Sequence, residues 1–348
     1  MKGKVFVAMS GGVDSSVAAA LLKKQGYDVI GAHLKCFNVD GCAASDAEDA
    51  RRAAEHLGIP FYAFDYEKEY KDRVVKYLVD GYKKGITPNP DVMCNKEIKF
   101  GLFYEKAMAL GADFVATGHY VRLRGGKLAI AKDLNKDQSY FLWALKPAQL
   151  KRCLFPVGDY AKPQVRKLAV KFGLHNAAKK DSQGICFLGQ VTLSDFLKKY
   201  IRPRVGAILD IAGNELGEHI GAHFYTIGQR HGLRVGGTTR PLYVAGKDVK
   251  ANTLVVAEGS DNPALYKKEV VLTSVNLFTK KIPKTVFARV RYRQPLEKAT
   301  AQFQYSQEYW NKGKLTLKFV KPVKFVAPGQ SAVFYDARGV LLGGGVIL

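Results

Sequence analysis

The chain has 348 residues, more than one typical hydrophobic core serves, so we expect two or three domains. Lys and Arg number 54 against 31 Asp and Glu, and the net charge of +23 favours a polyanionic partner such as nucleic acid or an acidic membrane surface. The sequence has neither the roughly 18 apolar residues of a membrane span nor a signal segment, so we expect a cytoplasmic protein outside the membrane. The five cysteines are too few and too scattered for a disulfide framework, and no CxxC pair indicates zinc or an iron–sulfur cluster.

Strand-like and helix-like segments alternate over the first third of the chain, each helix being followed by a glycine. Ser45 and Glu48 have the spacing of a capping box at the start of the second helix. This rhythm predicts a Rossmann-like α/β domain with a parallel sheet covered on both faces. The predicted segments are Val5–Met9, Ser15–Gln25, Val29–Leu34, Ser45–Leu57, Phe61–Phe64 and Glu67–Lys84.

A further buried strand is predicted at Phe114–Ala116, and a hairpin over Val121–Lys132 that turns at Gly125-Gly126. Helical patterns continue to about Tyr200. Beyond Val205, short apolar runs alternate with turn residues, which predicts one or two small β barrels. We therefore expect an α/β domain over residues 1–200, a small β domain over 201–269 and a C-terminal β-barrel over 270–348. Residues 262–348 contain fifteen Lys or Arg against four Asp or Glu, as a phosphate-contacting surface would.

The string SGGVDSS, residues 10–16, follows the first strand and opens a helix. Its glycines allow a tight turn whose amides and hydroxyls suit phosphate oxygens, and Asp14 can orient the loop or hold magnesium. An ordinary strand-to-helix connection would also tolerate glycines here. The whole string, however, resembles the pyrophosphate loop (PP-loop) of the ATP pyrophosphatase superfamily, which cleaves ATP between its α and β phosphates. This resemblance predicts a reaction type without a substrate.

The segment Thr87–Asn95 carries two prolines, which exclude a helix there, and precedes a helix predicted from Lys96 to Leu110. Cys94 is therefore expected at a helix N-terminus beside Lys96 and Lys99, where the thiolate is favoured. Asp91 lies three residues before Cys94, close enough to act on the same substrate atom as a general acid or base.

Cys186 lies in a glycine-bounded loop that follows Lys179-Lys180, again in an electropositive setting. Taken alone, either Cys94 or Cys186 fits a buried structural thiol better than a reactive one. The sequence assigns no role to the other cysteines, Cys36, Cys42 and Cys153.

Ten ordered blocks resemble the tRNA-specific 2-thiouridylase family from the first strand to the C-terminus. They are SGGVDSS, TPNPDVMCNKEIKF, ATGHY, NKDQSYFL, FPVG, KPQVRKLA, DSQGICFLG, GEHIGAHFYTIGQRHGL, RYRQ and PGQSAVFY. The resemblance implies a tRNA-uridine 2-sulfurtransferase that uses Mg-ATP. Such an enzyme adenylates the C2 oxygen of the wobble uridine in tRNAs for Lys, Glu and Gln and then replaces that oxygen with sulfur. The implied partners are tRNA and a sulfur donor, which could be a cysteine desulfurase or a sulfur-relay protein.

Residue roles follow from the same resemblance. Cys186 would carry the persulfide, Cys94 would be the nucleophile that releases its sulfur and leaves a Cys94–Cys186 disulfide, and Asp91 would move the proton. The target base would contact Asn89, Pro90 and Asp91. ATP would contact Ala8, Met9, Ser10, Gly11, Gly12, Val13, Asp14, Ser15, Leu34 and Gly118. The tRNA would contact His119, Lys136, Asp137, Gln138, Arg291, Tyr292 and Gln330. Leu34 stands where the family often has Met, a harmless departure if the contact is through the backbone.

Four other interpretations compete with this one. An adenylating synthetase for a small molecule would need neither the basic β region nor a cysteine pair. A nonenzymatic RNA-binding protein would not need Asp14, Asp91, Cys94 and Cys186. A 2-thiocytidine enzyme usually carries CxxC pairs, and a 4-thiouridine enzyme carries RNA-binding domains of another kind. The sequence leaves open the sulfur donor, the isoacceptor preference, the oligomeric state, and whether persulfide or released sulfide attacks C2.

Overall fold

The structure is a computed structural model that describes residues 2–37, 39, 43–181, 185–189, 191–304 and 313–348. Ser182, Gln183, Gly184 and the side chain of Cys186 lie outside this described part. The chain forms two compact units. The first unit comprises Met1–Val75, Pro90–Val191 and Arg338–Leu341, and the second comprises Lys76–Asn89, Thr192–Ala337 and Leu342–Leu348.

The α-helices are named in chain order. They are α1 (Val13–Lys24), α2 (Ala43–His56), α3 (Glu67–Tyr70), α4 (Lys76–Lys83), α5 (Pro90–Met93), α6 (Phe103–Ala109), α7 (Pro147–Leu150), α8 (Lys162–Lys171) and α9 (Leu193–Lys198). Two π-helical stretches, Lys71–Val75 and Cys94–Leu102, lie between consecutive α-helices.

The strands are numbered in the same way. They are β1 (Lys4–Ala8), β2 (Asp28–Lys35), β3 (Phe61–Asp65), β4 (Phe114–Thr117), β5 (Arg122–Arg124), β6 (Lys127–Ala129), β7 (Cys153–Leu154), β8 (Gly206–Leu209), β9 (Glu215–His219), β10 (Leu242–Asp248), β11 (Thr253–Glu258), β12 (Tyr266–Leu277), β13 (Val286–Arg289), β14 (Glu297–Gln304), β15 (Lys314–Lys324), β16 (Ser331–Tyr335) and β17 (Leu341–Ile347).

The first unit is built on a five-stranded parallel sheet in the order β3-β2-β1-β4-β7. Successive residues of β1 alternate between its faces, so Val5 and Val7 pack against one apolar cluster and Phe6 against another. Both faces are therefore buried, and the predicted doubly covered parallel sheet is confirmed. Strand β7 was not predicted, because its two residues are too short to carry a periodic pattern.

Two local predictions differ from the structure. Helix α2 begins at Ala43, so Ser45 lies inside the helix and the predicted capping box at its start is wrong. Helical structure also begins at Pro90, well before the predicted start at Lys96. Proline favours the first helical position because its missing N–H is not needed there. The prediction that the two prolines exclude a helix is therefore wrong for the second one, Pro90, at which a helix begins. The predicted hairpin around Gly125-Gly126 is confirmed by the pairing of β5 with β6.

The second unit holds the all-β region. Strands β10-β11-β8-β9 form a four-stranded sheet, and β12-β15-β14-β13-β16-β17 close into a barrel filled by side chains such as Leu272, Leu315 and Phe334. The prediction of small β domains after the α/β domain is confirmed, whereas the boundaries at 200 and 269 stay predictions. Within the described residues, no helix has the length and apolarity that crossing a membrane requires.

Candidate active site

The loop between β1 and α1 has the geometry of a phosphate cradle. The Ser15 hydroxyl accepts a hydrogen bond from the Ser10 amide and donates one to the Gly12 carbonyl, each at 3.1 Å. Gly11 has a φ of +74°, and a Cβ there would overlap the Asp46 carbonyl oxygen. The turn thus requires glycine, and it leads directly into α1, whose first amides have no partner within the helix and are a general site of anion binding.

Gly118 follows β4 and lies directly against this loop. A Cβ at Gly118 would stand 2.6 Å from the Ser15 amide nitrogen and 2.8 Å from the Asp14 carbonyl carbon. The carboxyl end of β4 therefore touches the first turn of α1, in the region where parallel sheets bind nucleotides.

The other predicted nucleotide contacts lie at the same end of the sheet. Ala8 is the last residue of β1, and the side chains of Met9 and Val13 are buried in the core behind the loop. Leu34, near the end of β2, packs against the cluster on the other face. A nucleotide would meet the backbone of Met9 and Val13 and not their side chains.

A partly buried ion-pair network, centred on the buried Lys162, stands behind the loop. The Lys162 ammonium lies 2.7 and 2.8 Å from the two carboxylate oxygens of Asp14, and 2.7 Å from Asp181. The Tyr120 hydroxyl donates to Asp14 at 2.8 Å. Burial and the Asp14 carboxylate raise the pKa of Tyr120, so it stays a donor. Burial opposes ionisation of Asp181, but hydrogen bonds from Lys136 and Lys162 lower its pKa overall.

The same network bears on magnesium. Both Asp14 oxygens bond Lys162, so the Asp14 carboxylate is already paired with a cation of the protein. Among the residues that the structure describes, no cluster of three or more His, Cys, Asp or Glu could hold a metal ion. Asp14 alone does not make a dedicated metal site.

The segment Lys136-Asp137-Gln138, predicted to contact tRNA, bonds within the fold in this structure. The Lys136 ammonium lies 2.6 Å from Asp181. The buried Asp137 carboxylate accepts two amides and a hydroxyl of its own loop. Gln138 accepts the Tyr120 amide through its side chain at 2.9 Å and donates its own amide to the Tyr120 carbonyl. The segment thereby supports the network behind the phosphate loop, and its contact with tRNA stays a prediction.

Asp91 and Cys94 lie three residues apart in the first turns of the helix that starts at Pro90, which puts them on one face. The chain is π-helical from Cys94 to Leu102, so hydrogen bonds join residues five apart. Lys99 is five residues from Cys94 and therefore comes to the same face, whereas a regular α-helix would turn it away. The structure thus brings a carboxyl group, a thiol and an ammonium to one side of a helix.

The charges around Asp91 fit proton transfer. Burial raises the pKa of the half-buried Asp91 carboxyl, and the positive charge of Lys99 partly opposes that shift. His119 has its Nδ1 2.7 Å from the Thr117 hydroxyl and its ring 6.0 Å from that of Phe100. Burial and Lys99 hold the pKa of His119 well below its usual value, so this histidine is neutral. His119 is 7% exposed, and its contact with tRNA stays a prediction.

The cysteines differ in their surroundings. Cys94 is 8% exposed in the helix described above. Cys153 is 1% exposed, donates to the Gln149 carbonyl at 3.2 Å, and burial raises its pKa to about 12, so it is an inert structural thiol. The sequence assigned Cys153 no role, and the structure gives it a packing role.

Phe187, the residue after Cys186, is held by contacts with described residues. The buried Phe187 ring lies 6.1 Å from Phe37 and 5.8 Å from Tyr70, and the Phe187 carbonyl accepts the Val39 amide at 3.1 Å. Phe187, the residue after Cys186, therefore contacts the chain that follows the carboxyl end of β2, the end of the sheet at which the phosphate loop also lies.

In the second unit, Gln330 contacts the segment that precedes the predicted base-binding residues. Its side-chain amide donates to the carbonyls of Thr87 and Pro88, at 3.0 and 3.4 Å. The Thr87 hydroxyl lies 3.2 Å from that of Thr226 in the central β region. Asn89, the next residue along, is buried. Gln330 thus holds Thr87-Pro88 in place, and its predicted contact with tRNA stays a prediction.

Arg291 and Tyr292 lie in a partly exposed group of cations and rings on the second unit. The Arg291 guanidinium is 5.4 Å from the Phe325 ring, which stacks on Tyr243 at 5.6 Å. Arg293 lies over the Tyr292 ring at 5.1 Å. Phe325 has a φ of +58°, which is rare for a residue with a side chain and marks a strained position. Such a surface suits unstacked bases and phosphates.

Sequence reasoning missed Tyr120, Lys162, Asp181 and Phe325 as parts of these groups. The signal was weak, because a lysine at the start of a helix and an aspartate in a loop are usually solvated. Tyr120, Lys162 and Asp181 did fall inside the blocks that carried the family resemblance, and that was the available clue.

A parallel sheet with a glycine-rich phosphate loop at its centre, followed by two β domains, defines a PP-loop enzyme with appended β modules. Family models match the whole of this arrangement. Residues 3–190 match a tRNA methyl transferase HUP domain, 194–258 a tRNA methyl transferase PRC-barrel domain and 267–347 an aminomethyltransferase β-barrel domain.

Full-length relatives agree on one family. The chain is 47% identical over 360 residues to tRNA-specific 2-thiouridylase MnmA 1 of Geobacillus kaustophilus, covering 99% of this chain and 95% of that protein. It is 46% identical over 356 residues to tRNA-specific 2-thiouridylase MnmA of Listeria monocytogenes serotype 4a, covering 99% and 94%. The chain belongs to the tRNA-specific 2-thiouridylase family. A solved 4-thiouridine synthetase–RNA complex with bound ATP gives a TM-score of 0.36 at 18% identity, over 57% of this chain and 50% of that one, which is too low to bear on function.

Proposed function

We propose that this protein 2-thiolates the wobble uridine of tRNAs for Lys, Glu and Gln at the expense of ATP. The observation that carries the proposal is the arrangement in the first unit, where a phosphate loop and a helix presenting Asp91 and Cys94 belong to one parallel-sheet domain. Family membership over nearly the full chain supports tRNA thiolation and ATP use as the activity.

In the first step the C2 oxygen of the uridine attacks the α-phosphorus of ATP, and pyrophosphate leaves. The amides of the phosphate loop bind the departing phosphates, while Lys162 and Tyr120 keep Asp14 oriented at the start of α1. Magnesium enters with the phosphates of ATP and would supply charge neutralisation there. Asp91 accepts the N3 proton of the uridine, a task for which its raised pKa makes it a better base.

In the second step sulfur from a Cys186 persulfide replaces the adenylated oxygen, and AMP leaves. Cys94 attacks the Cys186 sulfur, which breaks the persulfide S–S bond and leaves a Cys94–Cys186 disulfide for a cellular reductant. The terminal sulfur can attack C2 before or after that cleavage, and both orders give the same products. Lys99, on the face of Cys94, favours the thiolate that the attack requires.

The uridine must leave the anticodon stack to reach Asp91, as in other enzymes that act on bases. Arg291 and Tyr292 would bind the exposed anticodon loop through phosphate contacts and stacking. A cysteine desulfurase or a sulfur-relay protein would load Cys186, and we expect the reaction to take place in the cytoplasm.

The test is a thiolation assay with purified protein, ATP, magnesium, a sulfur source and unmodified tRNA for Glu or Lys, followed by a thiol-retarding gel. Cys94→Ser and Cys186→Ser are compared with Cys153→Ser, whose thiol is buried away from the chemistry. We expect retarded tRNA and AMP from wild type and Cys153→Ser, and no retarded tRNA from the other two. AMP without sulfur in tRNA would sink the substrate assignment, and full activity of either Cys94→Ser or Cys186→Ser would sink the two-cysteine mechanism.

A further inference from the structure

Asn176 contacts the phosphate loop from a neighbouring turn. It belongs to the 3-10 turn His175–Ala178, which follows α8, and it is 3% exposed. Its side-chain nitrogen donates to the Gly11 carbonyl and to the Ser16 hydroxyl, each at 3.0 Å. The Ser16 hydroxyl donates its own proton to the Gly12 carbonyl at 3.1 Å, so towards Asn176 it acts as an acceptor. Two acceptors therefore face the amide nitrogen, which fixes the orientation of the amide group.

The hydrogen bond to Gly11 sets the direction of one peptide plane. In a trans peptide the carbonyl oxygen and the following N–H point in opposite directions. Because the Gly11 carbonyl is directed at Asn176, the N–H of Gly12 points away from Asn176. Both residues that flank this peptide are glycines, which tolerate many backbone angles, so the chain itself does little to prevent the plane from turning over. A reversed plane would put a carbonyl oxygen in place of the N–H and would repel an anion there.

The turn that carries Asn176 is anchored to helix α2 on both sides of that residue. The His175 imidazole lies 3.1 Å from the Asp49 carboxylate. The Lys179 ammonium lies 2.7 Å from the carboxylate of Asp46 and 2.7 Å from that of Asp49. These contacts limit how far the side chain of Asn176 can move from the phosphate loop.

The other half of the Asn176 amide speaks against a purely structural role. Its side-chain oxygen is buried and has no hydrogen-bond partner among the residues that the structure describes. A buried acceptor without a partner destabilises the folded state, which offsets part of what the two donated hydrogen bonds contribute. The stability of the fold is therefore a weak reason for an asparagine at this position, whereas control of the Gly11–Gly12 peptide requires the donor.

We propose that Asn176 is a positioning residue for ATP, which keeps the Gly12 N–H directed at the phosphates that the loop binds. This assignment rests on the proposed function at one point, the use of the loop as the ATP site, and it depends neither on the tRNA substrate nor on sulfur transfer. Without the Asn176 amide the peptide would sample both orientations, and only one of them binds. If the binding orientation were populated about a tenth of the time, the apparent Kd for phosphate ligands would rise about tenfold.

The experiment measures the Kd for ATP and for inorganic pyrophosphate by isothermal titration calorimetry, with magnesium and without tRNA or a sulfur source. It compares wild type, Asn176→Ala and the control Asn252→Gly, and it records the Tm of each protein. Asn252 is a matched control because it is buried in the second unit and its amide also donates to two acceptors, the carbonyls of Arg204 and Val205, at 3.0 and 2.9 Å. Glycine suits the φ of +55° at this position.

We expect Asn176→Ala to bind both ligands about tenfold more weakly, whereas Asn252→Gly binds them within about twofold of wild type although its Tm falls. Asn176→Asp has nearly the shape of the native side chain, but its ionised carboxylate cannot donate to the Gly11 carbonyl. We expect it to bind at least as weakly as Asn176→Ala, and it serves if Asn176→Ala does not fold.

Wild-type Kd values in a folded Asn176 variant would overturn the proposal. An equal loss of affinity in Asn252→Gly would also overturn it, because the loss would then follow stability, and a wild type that binds neither ligand overturns it together with the proposed function. A wild type that binds ATP and releases AMP but forms no thiolated tRNA refutes the proposed substrate alone, and the Kd values of Asn176→Ala still decide the role of Asn176.

Discussion

Replacing Gly118 with alanine tests how closely β4 must approach the phosphate loop. No positive φ restricts Gly118, so alanine can adopt its backbone conformation and only the added methyl group matters. That methyl would lie 2.6 Å from the Ser15 nitrogen, 2.8 Å from the Asp14 carbonyl carbon and 2.9 Å from the Ser15 Cα. All three atoms are backbone, so no side chain can rotate away, and the first turn of α1 must move by roughly 0.8 Å to reach ordinary contact.

The cost of such overpacking is about 1–3 kcal/mol, and a displacement of this size at a reacting group can lower a rate by roughly a hundredfold. We expect Gly118→Ala to raise the KM for ATP and to lower AMP formation by about tenfold or more, with a lower Tm. The matched control is Gly236→Ala, because Gly236 has no neighbour within 4 Å of an added Cβ and no positive φ. Steady-state AMP release and thermal unfolding give the readings. Wild-type KM and Tm in Gly118→Ala would refute the close approach.

Three other changes test the charges and the stacked rings. Asp91→Asn should lower thiolation by about a hundredfold or more. It should also raise Tm near pH 7, because burial disfavours the charged Asp91 carboxylate in the folded protein. That gain should disappear below about pH 3.8, where the carboxyl group is protonated in both the folded and the unfolded protein. Lys99→Met removes a positive charge that lowers the pKa of Asp91, so the acid limb of the pH–rate profile should move to higher pH. The control is Lys96→Met, which removes the charge of an exposed neighbour and should leave the acid limb in place. Phe325→Ala removes the ring under Arg291 and should weaken tRNA binding about threefold in a filter assay at fixed salt.

Each of these three predictions would be contradicted by a specific result. An Asp91→Asn protein that is less stable than wild type at pH 7 would mean that the carboxylate is not strained by burial. An acid limb that does not move in Lys99→Met, or moves equally in Lys96→Met, would remove Lys99 from the site. Unchanged tRNA affinity in Phe325→Ala would limit that ring to packing within the second unit.

The sequence predicted the sheet because its strands are continuous apolar runs that only a doubly covered sheet buries. The sequence predicted the phosphate loop because the string SGGVDSS, which contains Gly11, is typical of phosphate-binding loops. It did not predict the π-helical stretch, since hydrophobic periodicity over nine residues hardly separates two kinds of helix. Gly101 was an available clue: a Cβ there would lie 2.8 Å from the Lys96 carbonyl oxygen, five residues back, so the stretch needs glycine at that place.

The residues assigned by resemblance separate into two kinds in the structure. Arg291 and Tyr292 are partly exposed, as a contact with nucleic acid requires. Asp137 accepts hydrogen bonds within its own loop, and Gln330 donates to the chain beside Asn89. A sequence motif shows which residues occur together. It does not show whether a residue contacts the ligand or supports a neighbouring residue that does, because both roles require the same residue at the same position.

The burial of Lys162 has a consequence for ionic strength. Dissolved ions screen exposed charges over about 10 Å at 0.1 M salt, but they act less on ion pairs whose cation, Lys162, is 8% exposed. The affinity for tRNA, by contrast, depends on releasing counterions from phosphates and falls steeply as salt rises. We expect moderate salt to detach the nucleic acid while the phosphate loop keeps its shape. ATP binding and tRNA binding can then be measured separately on the unaltered protein.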